Sequence, residues 1–161
     1  MPTRKRKIKL IKSICQIRGS EDGNIKGHIT FTELKSRMKI DIDVYDLPTG
    51  KRGFHIHNKG NLQEGCSSLC SHFNPTNKKH GKLNSPNSHA GDLGNIIVEE
   101  DGTCNMTIHS KFLRNRGKFN IIGRSVVIHE KEDDLGMGGN EESLKTGNAG
   151  SRIACGIIGI Y

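Results

Sequence analysis

Residues Met38-Lys39-Ile40-Asp41-Ile42-Asp43-Val44 alternate apolar and charged side chains without a break. That is the pattern of a strand with one face in a core and the other in water. Shorter stretches repeat it: Ile25-Gly27-Ile29-Phe31, Cys104-Met106-Ile108, and the run through Ile11, Ser13, Cys15 and Ile17. Turn-forming clusters separate them at Glu21-Asp22-Gly23, Leu47-Pro48-Thr49-Gly50 and Glu100-Asp101-Gly102. No segment carries an apolar stripe of helical period over three turns. Short strands joined by Gly-rich turns predict an all-β domain, an antiparallel sandwich or barrel. Two segments, 58–95 and 130–152, lose the alternation and read as long loops. Such loops in a compact domain are functional or disordered, and histidines and cysteines bound both of them.

At 161 residues the chain fits one domain that buries about two-thirds of its unfolded surface. Aromatics make up only 4% and there is no Trp, so the core must be aliphatic, and Ile far outnumbers Val. The net charge of +8 resembles a nucleic-acid footprint, but Arg4, Lys5, Arg6, Lys7, Lys9 and Lys12 supply six of those charges before any acid appears. The remainder is left at about +2, so residues 1–12 read as a basic, flexible extension and residues 13–161 as the domain. The extension is a solvated tail, a contact for nucleic acid or another polyanion, or a localisation signal. Lys9 and Lys12 interrupt the apolar residues that follow it, which argues against a secretory leader, and no run is long enough to span a membrane. A cytoplasmic protein is expected. Its five cysteines are odd in number and lack a C-x-x-C pair, so composition alone predicts free thiols.

The stretch G-F-H-I-H at 53–57 then becomes informative. His55 and His57 lie two residues apart on a strand and project from the same face. His129 ends the apolar strand Ser125-Val126-Val127-Ile128 and joins them if the two strands are neighbours. His72, His80, His89 and Asp92 share one loop and can wrap a single ion with three nitrogens and one oxygen. Imidazole suits copper and zinc, and three His with a carboxylate make a closed tetrahedral zinc site. The alternative is a His-rich loop with adventitious metal affinity. His28 and His109 fall inside alternating strands and read as surface residues.

Seven stretches carry a resemblance: G-F-H-I-H (53–57), H-F-N-P (72–75), K-H-G (79–81), H-A-G-D-L-G-N (89–95), I-I-G-R-S-V-V-I-H-E-K (121–131), D-D-L-G-M-G-G-N-E-E-S (133–143) and T-G-N-A-G-S-R-I-A-C-G-I-I-G-I (146–160). In this order they resemble the copper/zinc superoxide dismutases, whose fold is an antiparallel Greek-key β-sandwich or barrel, immunoglobulin-like, with two long functional loops. The resemblance implies dismutation of superoxide to dioxygen and hydrogen peroxide, with a catalytic copper bridged through a histidine to a structural zinc. It assigns copper to His55, His57, His72 and His129, and zinc to His72, His80, His89 and Asp92. Asp133 would link His55 to His80, and Cys66 and Cys155 would form a disulfide. Arg152 would hold the substrate anion, His72 would carry a proton, and Glu141, Glu142, Lys145 and Thr146 would shape the approach. Cys15 would be a buried free thiol, and Cys104 should point inward. Ile122, Gly123, Ile157, Ile160 and Gly60 fall where the family forms its homodimer. A copper chaperone is an implied helper.

Some features depart from the family. The basic N-terminal extension is additional, the turn around Leu34-Lys35-Ser36-Arg37 is short, and the chain ends in Tyr161. Cys70 is unusual: it reads as an idle thiol, a competitor of Cys66 for Cys155, or a link to another chain. Two rival readings are a copper-delivery chaperone and a non-catalytic homologue. The first would bring M-x-C-x-x-C and C-x-C motifs, which are absent; the second usually loses a copper ligand or the arginine, and all of these are present.

Overall fold

Eight strands form in the computed structural model, which describes residues 10–161. They are β1 (Lys12–Gly19), β2 (Ile25–Glu33), β3 (Met38–Val44), β4 (Gly50–His57), β5 (Asp92–Val98), β6 (Cys104–Ser110), β7 (Ser125–His129) and β8 (Arg152–Ile160). The alternating stretches supply β1, β2, β3 and β6, and in β3 the buried residues Met38, Ile40, Ile42 and Val44 all sit on one face. All pairings are antiparallel, in the order β5-β4-β7-β8-β1-β2-β3-β6, and the end strands β5 and β6 come back into contact. The sheet is thus a nearly closed barrel with Greek-key connectivity, since β3 pairs with β6 while the β4–β5 hairpin lies between them in sequence.

The barrel interior is the expected aliphatic core: Ile17, Ile29, Ile40, Ile42, Ile56, Ile128 and Ile158 pack with Phe31 and Phe54. Cys15 and Cys104 face inward as free thiols. Lys12, assigned to the extension from sequence, opens β1 and pairs with Thr32, and its ammonium lies 5.2 Å from the Tyr161 ring centroid. The other five basic residues of that segment lie outside the described residues. No helix among the described residues is long and apolar enough to cross a membrane.

The two patternless segments are loops, with small corrections at their ends. Asp92 to Asn95, read as loop, already belong to β5, where Asp92 turns its polar side chain to the site instead of continuing an apolar face. The second segment contains a single helical turn, α1 (Ser143–Thr146), capped by Gly147 in the left-handed region. The first contains a 3₁₀ turn at Gly65–Leu69.

Candidate metal centre

On β4, Phe54 and Ile56 point into the barrel, so Gly53, His55 and His57 must point out. All three are nevertheless buried, because the long loops cover this outer face. The first loop is stitched to β4 by Phe73 N–H donating to the Ile56 carbonyl (2.8 Å) and Ile56 N–H donating to that of Gly91 (2.9 Å). That stitching places His72 in a bridge beside His57. β7 pairs with β4 and carries His129 to the same face. Gly53 makes room: a Cβ there would meet Ala149 Cβ at 2.7 Å and His55 Cε1 at 3.3 Å.

The donor atoms of His55, His57, His72 and His129 all lie within 4.8 Å of one another. His57 Nδ1–H donates to the Cys70 carbonyl (2.8 Å), and His129 Nδ1–H donates to that of Gly150 (3.0 Å). A carbonyl only accepts, so each ring keeps its proton on Nδ1 and presents the Nε2 lone pair. Those two Nε2 atoms are 3.4 Å apart. His55 Nε2–H donates to Asp133 Oδ2 (2.7 Å), which leaves Nδ1 as its donor. Burial, reinforced by the neighbouring His72, pushes His55 and His57 well below the ordinary histidine range, and burial brings His129 to about 4. All three are neutral at neutral pH, the form that binds a metal.

In the second set, Nδ1 of His72, His80 and His89 lie 2.9, 2.9 and 3.1 Å from Asp92 Oδ1. A tetrahedral ion with bonds of about 2.0 Å separates its ligands by about 3.3 Å, close to this spacing. Asp92 Oδ2 accepts the N–H groups of Gly81 and His89, both at 3.0 Å, and so fixes the carboxylate. Burial works against the charge on Asp92, but hydrogen bonding to the three imidazoles holds it below the usual carboxylate range. Burial also opposes protonation of His80, yet Asp133 and Asp92 outweigh it and raise His80 to about 9.

His72 belongs to both sets. Nδ1 aims at the second, and Nε2 is buried without a hydrogen-bond partner. His55 Nδ1 is orphaned in the same way. Each such atom costs roughly 1–3 kcal/mol if left unsatisfied. The two orphans of the first cluster, and the three Nδ1 atoms converging on Asp92 Oδ1 in the second, are arrangements that two cations would satisfy. The grouping of His55, His80 and Asp133 is a strut between the sites: Asp133 Oδ2 accepts from His55 and Oδ1 from His80, each at 2.7 Å.

Several residues of this scaffold carried no role in the sequence reading. Asn95 clamps the Asp133 backbone from both sides, accepting from its N–H (2.7 Å) and donating to its carbonyl (3.0 Å). Gly147, at φ +70°, lets the second loop approach, since a Cβ there would strike the Asp133 carboxylate and the His80 ring. Both residues lie inside motifs that sequence reading had singled out. The carbonyls of Cys70 and Gly150 leave no trace in residue identity.

The clusters open to solvent through a cleft of about 870 Å³ whose wall includes His57, His129, Lys79, Glu142, Thr146 and Arg152. Arg152 donates from Nη1 to the Cys66 carbonyl (2.7 Å) and from Nη2 to the Cys70 carbonyl (2.6 Å). The Cys70 carbonyl therefore serves both the arginine and His57. The Cys66–Cys155 disulfide holds that loop to β8 with Cα atoms 5.9 Å apart, in place of the free thiols that composition predicts. Cys70 is free and exposed. Lys145 Nζ donates to Glu141 Oε1 (2.6 Å) and Thr146 Oγ1 to Glu142 Oε1 (2.8 Å) on α1 and its approach. Ile157 and Ile160 are exposed on β8, Ile122 is half-buried, and Gly60 packs against the Gly123 carbonyl too closely for any Cβ.

Comparison with known proteins agrees with this geometry. Residues 25–158 match the copper/zinc superoxide dismutase family. A copper–zinc superoxide dismutase of Paramecium bursaria Chlorella virus 1 is 49% identical over 139 residues, covering 86% of this chain and 74% of that protein. An extracellular copper–zinc superoxide dismutase of Drosophila melanogaster is 45% identical over 143 residues, covering 88% and 79%. The crystal structure of the clock protein EA4 superposes with a TM-score of 0.88 at 41% identity, covering 94% of this chain and 96% of that one. With the family match spanning most of the domain and two donor sets meeting at one imidazole, the chain belongs to the copper/zinc superoxide dismutase family.

Proposed function

We propose that this chain dismutates superoxide to dioxygen and hydrogen peroxide, with copper held by His55, His57, His72 and His129 and zinc held by His72, His80, His89 and Asp92. The observation that carries the assignment is the double commitment of His72, one ring nitrogen to each donor set. Copper supplies reversible one-electron exchange, and zinc supplies a fixed positive charge.

Arg152 binds the anion. Its guanidinium is held in the cleft by two carbonyls, so the remaining N–H groups are aimed without reorganisation. His72 would hold a proton on Nε2 and give it to the departing peroxide, with the second proton of hydrogen peroxide coming from solvent through the cleft. Asp133 keeps His55 and His80 in orientation by accepting both ring protons. Thr146, Glu142 and Lys145 line the entrance, and Glu141, paired with Lys145, tunes its field. A cleft of positive sign raises the arrival rate of an anion by about 10–10³-fold.

The homodimer is part of the same reading, supported by the exposed Ile157 and Ile160 beside the close-packed Gly60 and Gly123. The proposed compartment is the cytoplasm, where an exposed thiol such as Cys70 stays reduced. A copper chaperone is the proposed metal donor, since the copper donors are buried behind the cleft.

Metal analysis of two variants tests the assignment. His129→Ala should lose copper and retain zinc, and His89→Ala should do the reverse. Full retention of both metals in either variant would refute the two-site assignment.

A further inference from the structure

The near-neutral charge of the domain conceals a strong polarity between the two ends of the barrel. At one end, the loops joining β1 to β2, β3 to β4 and β5 to β6 carry Glu21, Asp22, Asp46, Glu99, Glu100 and Asp101, with no Lys or Arg among them. At the other, the β2–β3 turn (34–37) and the β6–β7 connection (111–124) carry Lys35, Arg37, Lys111, Arg114, Arg116, Lys118 and Arg124, with no Asp or Glu. β3 alone separates the two ends, by about 23 Å at 3.3 Å per residue.

The basic end is one surface. Arg114 Nη2 donates to the Ser36 carbonyl (3.4 Å), joining the two loops. Five of these seven cations are exposed; Arg114 is half-buried, and so is Arg124, whose guanidinium lies on the Phe73 ring and donates to Asn58. One carboxylate adjoins them, Glu33 at the end of β2; it is largely covered, lies 3.9 Å from Arg116, and accepts the Asn115 N–H. The chain enters the fold at the same end: Asn115 Nδ2 donates to the Ile11 carbonyl, and Lys12 opens β1 there. The basic segment of residues 4–9 therefore continues directly from this pole in sequence.

We propose that this basic pole binds the phosphodiester backbone of double-stranded nucleic acid. Arginine forks match phosphate geometry, and a duplex offers a charge about every 1.7 Å along its axis, so several cations can engage at once. A membrane surface is the weaker match. Stable attachment to lipid needs apolar side chains among the charges; the exposed apolar residues at this end, Leu10, Ile11, Ile160 and Tyr161, lie at the two ends of the chain, whereas in these two loops Leu113 is buried and Phe112 and Phe119 are half-buried and stack on each other. The acidic pole would face away from the duplex. None of these cations touches the metal clusters, so the surface is additional to the catalytic reading.

Fluorescence anisotropy of a labelled DNA duplex with the full-length, metal-loaded protein tests the proposal, from about 50 to about 200 mM salt. Binding should weaken steeply with salt. Arg37→Glu with Lys118→Glu should weaken it at least tenfold and reduce the slope of log affinity against log salt by about 2. Lys51→Glu with Lys131→Glu makes the same change in net charge on exposed residues near the other end and should have much less effect. Melting curves and metal content confirm that both variants are folded. The proposal is overturned by the absence of duplex binding, by equal losses in the two double variants, or by attachment to anionic phosphatidylserine vesicles without duplex binding.

Discussion

His57 Nε2 and His129 Nε2 face each other at 3.4 Å, and neither has a proton to offer the other because both rings keep theirs on Nδ1. Two lone pairs this close repel unless a cation lies between them. His55 Nδ1 and His72 Nε2 are likewise buried without a hydrogen-bond partner. Metal binding should therefore contribute to folding stability as well as to chemistry. At free metal about a thousandfold above Kd, linkage contributes about 4 kcal/mol, or roughly 8–16 °C in a chain of this size. Calorimetry of chelated and reloaded protein measures it; equal melting temperatures would show that the clusters are satisfied without metal.

Asp133 accepts two ring protons with its two oxygens, and no other residue type of that size can. In Asp133→Asn the amide presents one acceptor and one donor, so one ring loses its anchor. Zinc affinity should fall roughly 10–100-fold. Competition with a chromophoric chelator reads this directly, and an unchanged affinity would mean that Asp133 does not orient the ligands.

The free cysteines should differ sharply in reactivity. Burial pushes the Cys15 thiol up to about 12, and burial raises Cys104 as well. Because the thiolate is the reactive form, a raised value lowers reactivity at every pH beneath it, and at pH 8 only about 10⁻⁴ of Cys15 would be ionised. Iodoacetamide should label Cys70 alone in the native, non-reduced protein. Moving from about pH 7 to about pH 9 should still spare Cys15, since both lie far below its value. Denaturation should expose three thiols. Native labelling of Cys15 at the rate of Cys70 would contradict the packing.

Period-two alternation was enough to find β3, and with it the all-β class, because each inward residue there has only one face to satisfy. It stopped short at the start of β5, where Asp92, Leu93 and Gly94 are buried in succession and no alternation survives, so Asp92 to Asn95 read as loop. The histidine spacings exposed two donor sets but not their meeting at His72, which depends on how the first loop docks on β4. Residue identity is equally blind to backbone groups, so the Cys70 carbonyl, shared by Arg152 and His57, was out of reach. The charge polarity of the barrel escaped notice for a related reason: the two acid-free loops are 73 residues apart in sequence and adjoin only after folding.

Superoxide decay by rapid mixing, expressed per mole of bound copper, tests the central claim most directly. The copper- and zinc-loaded protein should give a second-order constant of about 10⁸–10⁹ M⁻¹s⁻¹ that falls as salt is added, near a ceiling that superoxide dismutases themselves help to define. Decay no faster than in buffer, with copper fully bound, would contradict the assignment of this site as a dismutase.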